Sequence, residues 1–116
     1  MGWREDANAI CAALPGATLS DPWGGGHDCW KVGGKMFAVQ GVEPGCSVKC
    51  PDIETAEMLR ETTAAIRAPY VHRSWVKLPE GSEMGEVAHR IHVSYSVIRR
   101  ALPRKTQASL PEWEGR

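Results

Sequence analysis

The sequence predicts an α+β domain, an antiparallel sheet with helices from both chain ends packed on one of its faces. Three observations carry that prediction. Apolar residues recur at 3/4 spacing near the N-terminus and again in the C-terminal half. Between them, two short apolar runs flank Gly33-Gly34 in the manner of a tight hairpin. A second turn signal, Glu43-Pro44-Gly45, follows closely, so the strands form a meander within a sheet of about four to six strands. At 116 residues and 42% hydrophobic content, the chain is a single domain that buries its own core.

Residues 3–14 form the first helix. Trp3, Ala7, Ile10, Cys11 and Leu14 share a face, Glu5 and Asp6 occupy the first turn, and Pro15-Gly16 stops it. A short strand is expected around Thr18-Leu19. Asp21 to Gly26 is a turn, with Trp23 as a packing plug beneath it. Its three glycines are not followed by Lys-Ser/Thr, so this is not a P-loop. Trp30–Val32 and Met36–Val39 are the hairpin arms, since glycines accept the positive φ of such turns. Cys46–Cys50 is the next strand. Pro51 then opens a helix, with Asp52 and Glu54 near its positive end and Ala56, Leu59, Thr63 and Ile66 as its inner stripe.

Ala68-Pro69 breaks that helix. Tyr70 to Leu78 reads as one or two short strands, with a bulge or bend that lets Trp75 enter the core. Ser82 caps a further helix with Met84, Val87, Ala88 and Ile91 as its stripe. Val93-Ser94 interrupts it, and Ser94 recaps a last helix that ends at Pro103, with Tyr95, Ile98 and Leu102 inward and Arg99 and Arg100 outward. The domain is thus residues 1–106. Residues 107–116 are a C-terminal tail, a loose one from which Leu110 and Trp113 can dock back.

Formal net charge is zero, which implies no bulk attraction to nucleic acid or membrane. The distribution is uneven. Arg90, Arg99, Arg100, Arg104 and Lys105 lie in the acid-free run 87–111, and Arg67, Arg73 and Lys77 in a second such run, 62–79. Asp52, Glu54, Glu57 and Glu61 crowd one segment, so a basic side and an acidic side are expected. Cys11, Cys29, Cys46 and Cys50 make no CxxC framework and no hydrophobic signal segment precedes them, which predicts reduced thiols in a cytoplasmic protein. No apolar run approaches the ~18 residues of a membrane span.

A series of short blocks, in order, resembles the MmcQ/YjbR family of small bacterial proteins. They are Leu14-Pro15-Gly16-Ala17-Thr18, then Pro22-Trp23-Gly24, then Lys31-Val32-Gly33-Gly34-Lys35-Met36-Phe37-Ala38, the most distinctive. Val48-Lys49-Cys50-Pro51 follows, and Tyr70 through Trp75-Val76, Ser94-Tyr95 and Leu102-Pro103-Arg104-Lys105 complete the order. The resemblance covers roughly residues 5–106. It implies a CyaY-like α+β fold and, since the family is described as DNA-binding, a positively charged face. Lys31, Lys35, Lys49, Trp75, Ser94, Tyr95 and Lys105 fall on family motif positions. Cys29, Cys46, Cys50 and His72 do not.

The expected function is non-enzymatic DNA binding of low sequence specificity. Phosphate contacts need cationic side chains, and the candidates are Lys31, Lys35, Lys49, Arg73, Lys77, Arg99, Arg100, Arg104 and Lys105. The competing reading is that these are solubilising charges on an edge strand and a helix exterior. The alternative function is a small-molecule or protein-partner module using a cleft lined by Trp23, Trp30, Trp75 and Tyr95. No metal site or cofactor is expected. Cys46 and Cys50 have the wrong spacing for a zinc ribbon, and His89 with His92 lacks a third ligand. His27 and Cys29 have no orienting acid, so no catalytic site is expected. The first helix carries only Glu5 and Asp6, short of the acidic ridge that frataxin-like iron handling requires.

Overall fold

A computed structural model describes residues 2–68 and 71–114. Among these residues the chain runs α1 (Trp3–Ala12), β1 (Thr18–Ser20), β2 (Asp28–Val32), β3 (Lys35–Gln40), β4 (Cys46–Lys49), α2 (Ile53–Thr62), β5 (Ile66–Arg67), β6 (Trp75–Leu78), α3 (Met84–Arg100) and α4 (Arg104–Ser109). The strands form one sheet in the order β1-β2-β3-β4-β6-β5, every neighbouring pair antiparallel. The class is α+β, as predicted.

One core joins the helices to one face of the sheet. Ala7 and Cys11 of α1, Ala56 and Leu59 of α2, and Val87, Ile91 and Tyr95 of α3 bury against Trp30, Val32, Phe37, Ala38, Cys46, Val48, Val76 and Leu78. The pairing explains why these strand residues share a face, because Ala38 opposes Val48, Cys46 opposes Leu78 and Val48 opposes Val76.

Several expectations need correction. α2 ends at Thr62, so Ile66 belongs not to its inner stripe but to β5, where it is exposed. The helix stops because Thr63 is extended and its hydroxyl donates to the Leu59 carbonyl while accepting from Ala65 N–H. At the other end Pro51 precedes the helix instead of opening its first turn, and Asp52 is the cap; its carboxylate accepts the Thr55 N–H at 2.7 Å. The expected break at Pro69 and strand start at Tyr70 lie outside the described residues. β6 begins at Trp75, following a turn in which Trp75 N–H donates to the His72 carbonyl.

α3 is one helix of 17 residues rather than two. Its cap is Glu83, whose carboxylate accepts the Gly85 and Glu86 N–H groups, while Ser82 donates its hydroxyl to the Pro79 carbonyl. Nor is Ser94 a cap. It is fully buried in mid-helix. The C-terminal residues are not a loose tail. α4 crosses the expected 106/107 boundary, Leu110 and Trp113 pack on the core, and Trp113 meets the Tyr95 ring edge-on at 4.6 Å.

Candidate functional site

The helices leave the second face of the sheet uncovered, and two features of the molecule meet there. Strand alternation turns Met36, Val39, Ser47, Trp75 and Lys77 to this face, with Val39 opposite Ser47 and Ser47 opposite Lys77. Segments 21–27, 41–43 and 71–74 flank them, and the result is an open groove of about 660 Å³. Trp23, Val42 and Val71 stand on its walls above a floor of Met36, Val39 and Trp75. Its polar groups are His27, Glu43, Ser47 and Lys77. Trp23 is 58% exposed and therefore not the packing plug that its loop position suggested.

The walls are held from within. The Asp21 carboxylate accepts the backbone N–H groups of Gly26 at 3.0 Å, His27 at 3.3 Å and Gly25 at 3.4 Å. Those bonds, led by Gly26, hold its pKa below the usual aspartate value. Trp23 lies inside the loop so closed and meets His27 edge-on at 5.0 Å. Arg4 ties this loop to the next wall, since its guanidinium donates to the carbonyls of Gly26, Gln40 and Gly41 and pairs with Asp28 at 2.9 Å.

The structure divides the four aromatics proposed for a cleft. Trp23 and Trp75 line the groove. Trp30 and Tyr95 do not; both are buried on the helix side of the sheet. The reason is parity and partner. Trp30 opposes Ala38 on the core face and donates its indole N–H to Asn8 of α1, while Tyr95 donates its hydroxyl to the Pro15 carbonyl.

The basic candidates also divide. Lys31, Lys49 and Arg73 lie at the end of the sheet that carries the β2–β3 turn, as the pairings of Lys31 with Met36 and of Lys49 with Trp75 require. Lys35 follows that turn and is exposed. α3 ends beside the same turn, where a side chain on Gly33 would meet Leu102, and this brings Arg100, Arg104 and Lys105 to that end. Three candidates already have partners. Lys49 donates its Nζ to the Ser74 hydroxyl at 2.6 Å. Lys77 is mostly buried in the groove, 3.8 Å from Glu43. Arg99 donates to the Tyr95 hydroxyl and to the Pro111 carbonyl, each at 2.7 Å, so it braces the C-terminal segment.

At the opposite end stand the acids Glu5, Asp21, Asp28, Glu43, Glu80, Glu83 and Glu86, grouped by the starts of α1, β2 and α3 and the ends of β1, β3 and β6. Arg4, Lys77 and Arg90 stand at this end too, paired with Asp28, Glu43 and Glu86, so the lengthwise separation of charge is partial. Asp52 and Glu54, expected on the acidic side, instead follow Lys49 at the start of α2.

A sequence model of the YjbR family matches residues 12–97. The chain belongs to the YjbR family. No curated protein matches it. Among solved structures it is similar to the crystal structure of Deinococcus radiodurans protein DR2400, a DUF419 domain. The TM-score is 0.81 at 18% identity, over 93% of this chain and 87% of that one. That likeness is one of fold. The matched YjbR region contains all six strands and the groove floor, whereas α4 and the docked C-terminal segment lie beyond it.

Sequence reasoning passed over Met36, Val39, Val42 and Val71 as groove residues, and Arg4 and Asp21 as its braces. A signal for the first group exists in the alternation of β3, where Val39 is apolar on the face opposite the buried Ala38. The four thiols are buried and free. Burial raises the pKa of each, that of Cys11 to about 12, so none is a ready nucleophile. Among the described residues no three His, Cys, Asp or Glu side chains are grouped to hold a metal ion.

Proposed function

We propose that this YjbR protein is a non-enzymatic nucleic-acid-binding protein of low sequence specificity that grips phosphates with its basic end. The observation that supports this reading is the gathering of Lys31, Lys35, Lys49, Arg73, Arg100, Arg104 and Lys105 at one end of a molecule whose net charge is zero. Residues scattered over 75 positions of sequence reach that end through three separate devices, namely the β2–β3 turn, the antiparallel return of β4 and β6, and the direction of α3. A bacterial, cytoplasmic setting goes with the reading, since buried thiols stay reduced there.

Fluorescence anisotropy of labelled oligonucleotides tests it. If about five phosphates are neutralised, affinity falls several hundredfold between about 50 and 200 mM salt. Lys35→Glu and Arg100→Glu change exposed side chains, so each weakens binding while the melting temperature stays within about 2 °C. Absence of binding at the lower salt removes the reading.

The groove favours a second reading, in which it binds a small molecule or a protein partner independently of nucleic acid. Its volume is within the range of small-molecule sites, about 300–1,000 Å³, and its lining is chiefly apolar. Among the described residues no helix is long and apolar enough to cross a membrane, so neither reading draws on a helical span.

A further inference from the structure

Lys31 and Lys49 of the basic end share the uncovered face of the sheet with the groove. We infer that the groove receives an unpaired nucleobase, so that the protein prefers single-stranded to double-stranded nucleic acid. This rests on the nucleic-acid reading of the basic end and adds a second, separable contact to it.

Four observations carry the inference. First, Trp23 is exposed on a groove wall while Trp30 and Trp75 are buried and Trp3 and Trp113 are partly so. A large exposed indole over an apolar floor is a stacking platform for a base, whose faces are apolar and whose edges are polar. Second, the platform is preorganised. Asp21 closes the loop around it and Arg4 fixes the loop to the neighbouring wall, so little ordering remains at the moment of binding. Third, Ser47, His27 and Lys77 place hydrogen-bonding groups among the apolar ones, as the edge of a base requires.

Fourth, the groove continues into the basic end. Lys49 directly opposes Trp75 of the floor, and Lys31 opposes Met36. A base on Trp23 above the Trp75 floor has its phosphates on the Trp75 side in the region of Lys49 and Lys31, while Glu43 borders the groove at its other end. This charge complementarity favours nucleic acid over a protein segment as the occupant. A base still stacked in a duplex cannot reach the floor, because its faces are already covered by its neighbours.

The test compares an oligothymidine with a duplex of the same length at about 50 mM salt, by anisotropy and by tryptophan emission. Four proteins are used: wild type, Trp23→Ala, Trp23→Phe and Lys35→Glu. The wild type binds the single strand more tightly, with quenched emission. Trp23→Ala weakens single-strand binding about five- to a hundredfold and leaves duplex binding unchanged. Trp23→Phe keeps most of the affinity but loses most of the quenching. Lys35→Glu weakens both. The inference falls if Trp23→Ala leaves single-strand affinity unchanged or if the duplex binds more tightly, and loss of binding in Lys35→Glu then leaves the basic end standing. If neither oligonucleotide binds the wild type, both readings fall. Circular dichroism of each variant shows that the exposed substitutions leave the fold intact.

Discussion

A single buried hydroxyl repairs the sheet. Pairing between β2 and β3 shifts between Trp30 and Lys31, which leaves Phe37 as the extra residue of a bulge. Ser94 of α3 donates its hydroxyl to the Phe37 carbonyl at 2.6 Å. The Ser94 hydroxyl oxygen in turn accepts the Lys49 N–H at 2.9 Å, just beyond the point where the β3–β4 ladder stops. This is the physical reason a serine occupies the middle of a buried helix face, where local propensity reads it as a cap. Ser94→Ala removes both bonds. The expected cost is about 1–3 kcal/mol, a fall in Tm of about 4 °C for each kcal/mol. Ser94→Thr restores the hydroxyl but adds a methyl to a closed site. A thermal melt of Ser94→Ala that overlays the wild type would show that these bonds contribute nothing.

At the scale of the elements, the β2–β3 turn is the joint between sheet and helices. Gly33 and Gly34 have φ of +57° and +82°, the two positive values that a two-residue hairpin turn demands. The two glycines differ in what surrounds them. A side chain on Gly33 would stand 2.5 Å from Leu102 and 3.1 Å from Thr106, whereas Gly34 faces open space. Gly34→Ala therefore carries only the backbone cost of about 1–2 kcal/mol. Gly33→Ala carries that cost and also pushes away the α3–α4 junction, which positions Arg100, Arg104 and Lys105. The expected order of Tm is wild type, then Gly34→Ala, then Gly33→Ala, with Gly34→Asn close to wild type because Asn tolerates this conformation. Equal losses for the two alanines would place Leu102 away from the turn.

Over the whole molecule, what was legible in the sequence was whatever depended on neighbours in the chain. The helical stripe Ala7–Cys11, the Gly33-Gly34 turn and the alternation Cys46–Val48 each declare their structure locally, and together they determine the α+β class. What was not legible depended on distant contacts. Thr63 ends α2 through its own hydroxyl, Ser94 serves a bulge 57 residues away, and Trp30 is drawn from the groove to the core by Asn8. Of the aromatics proposed for a cleft, only Trp23 and Trp75 line the groove. Basic residues identify themselves, whereas the face on which a tryptophan lies depends on strand parity after a bulge.

The C-terminal segment is the sharpest case. Its composition reads as a tail from which Leu110 and Trp113 can dock, and both do: Leu110 lies against Gly16, Trp113 against Tyr95, and the Pro111 carbonyl, which no local signal marks, accepts from Arg99. These contacts close the gap between the end of α1 and the outer flank of α3. Deleting residues 110–116 uncovers Tyr95 and removes two partly buried apolar side chains, a loss of about 2–4 kcal/mol. A differential scan then shows Tm lower by roughly 8–16 °C, and Trp113→Ala alone reproduces a large part of it. An unchanged Tm would make the segment the loose tail that its composition suggested.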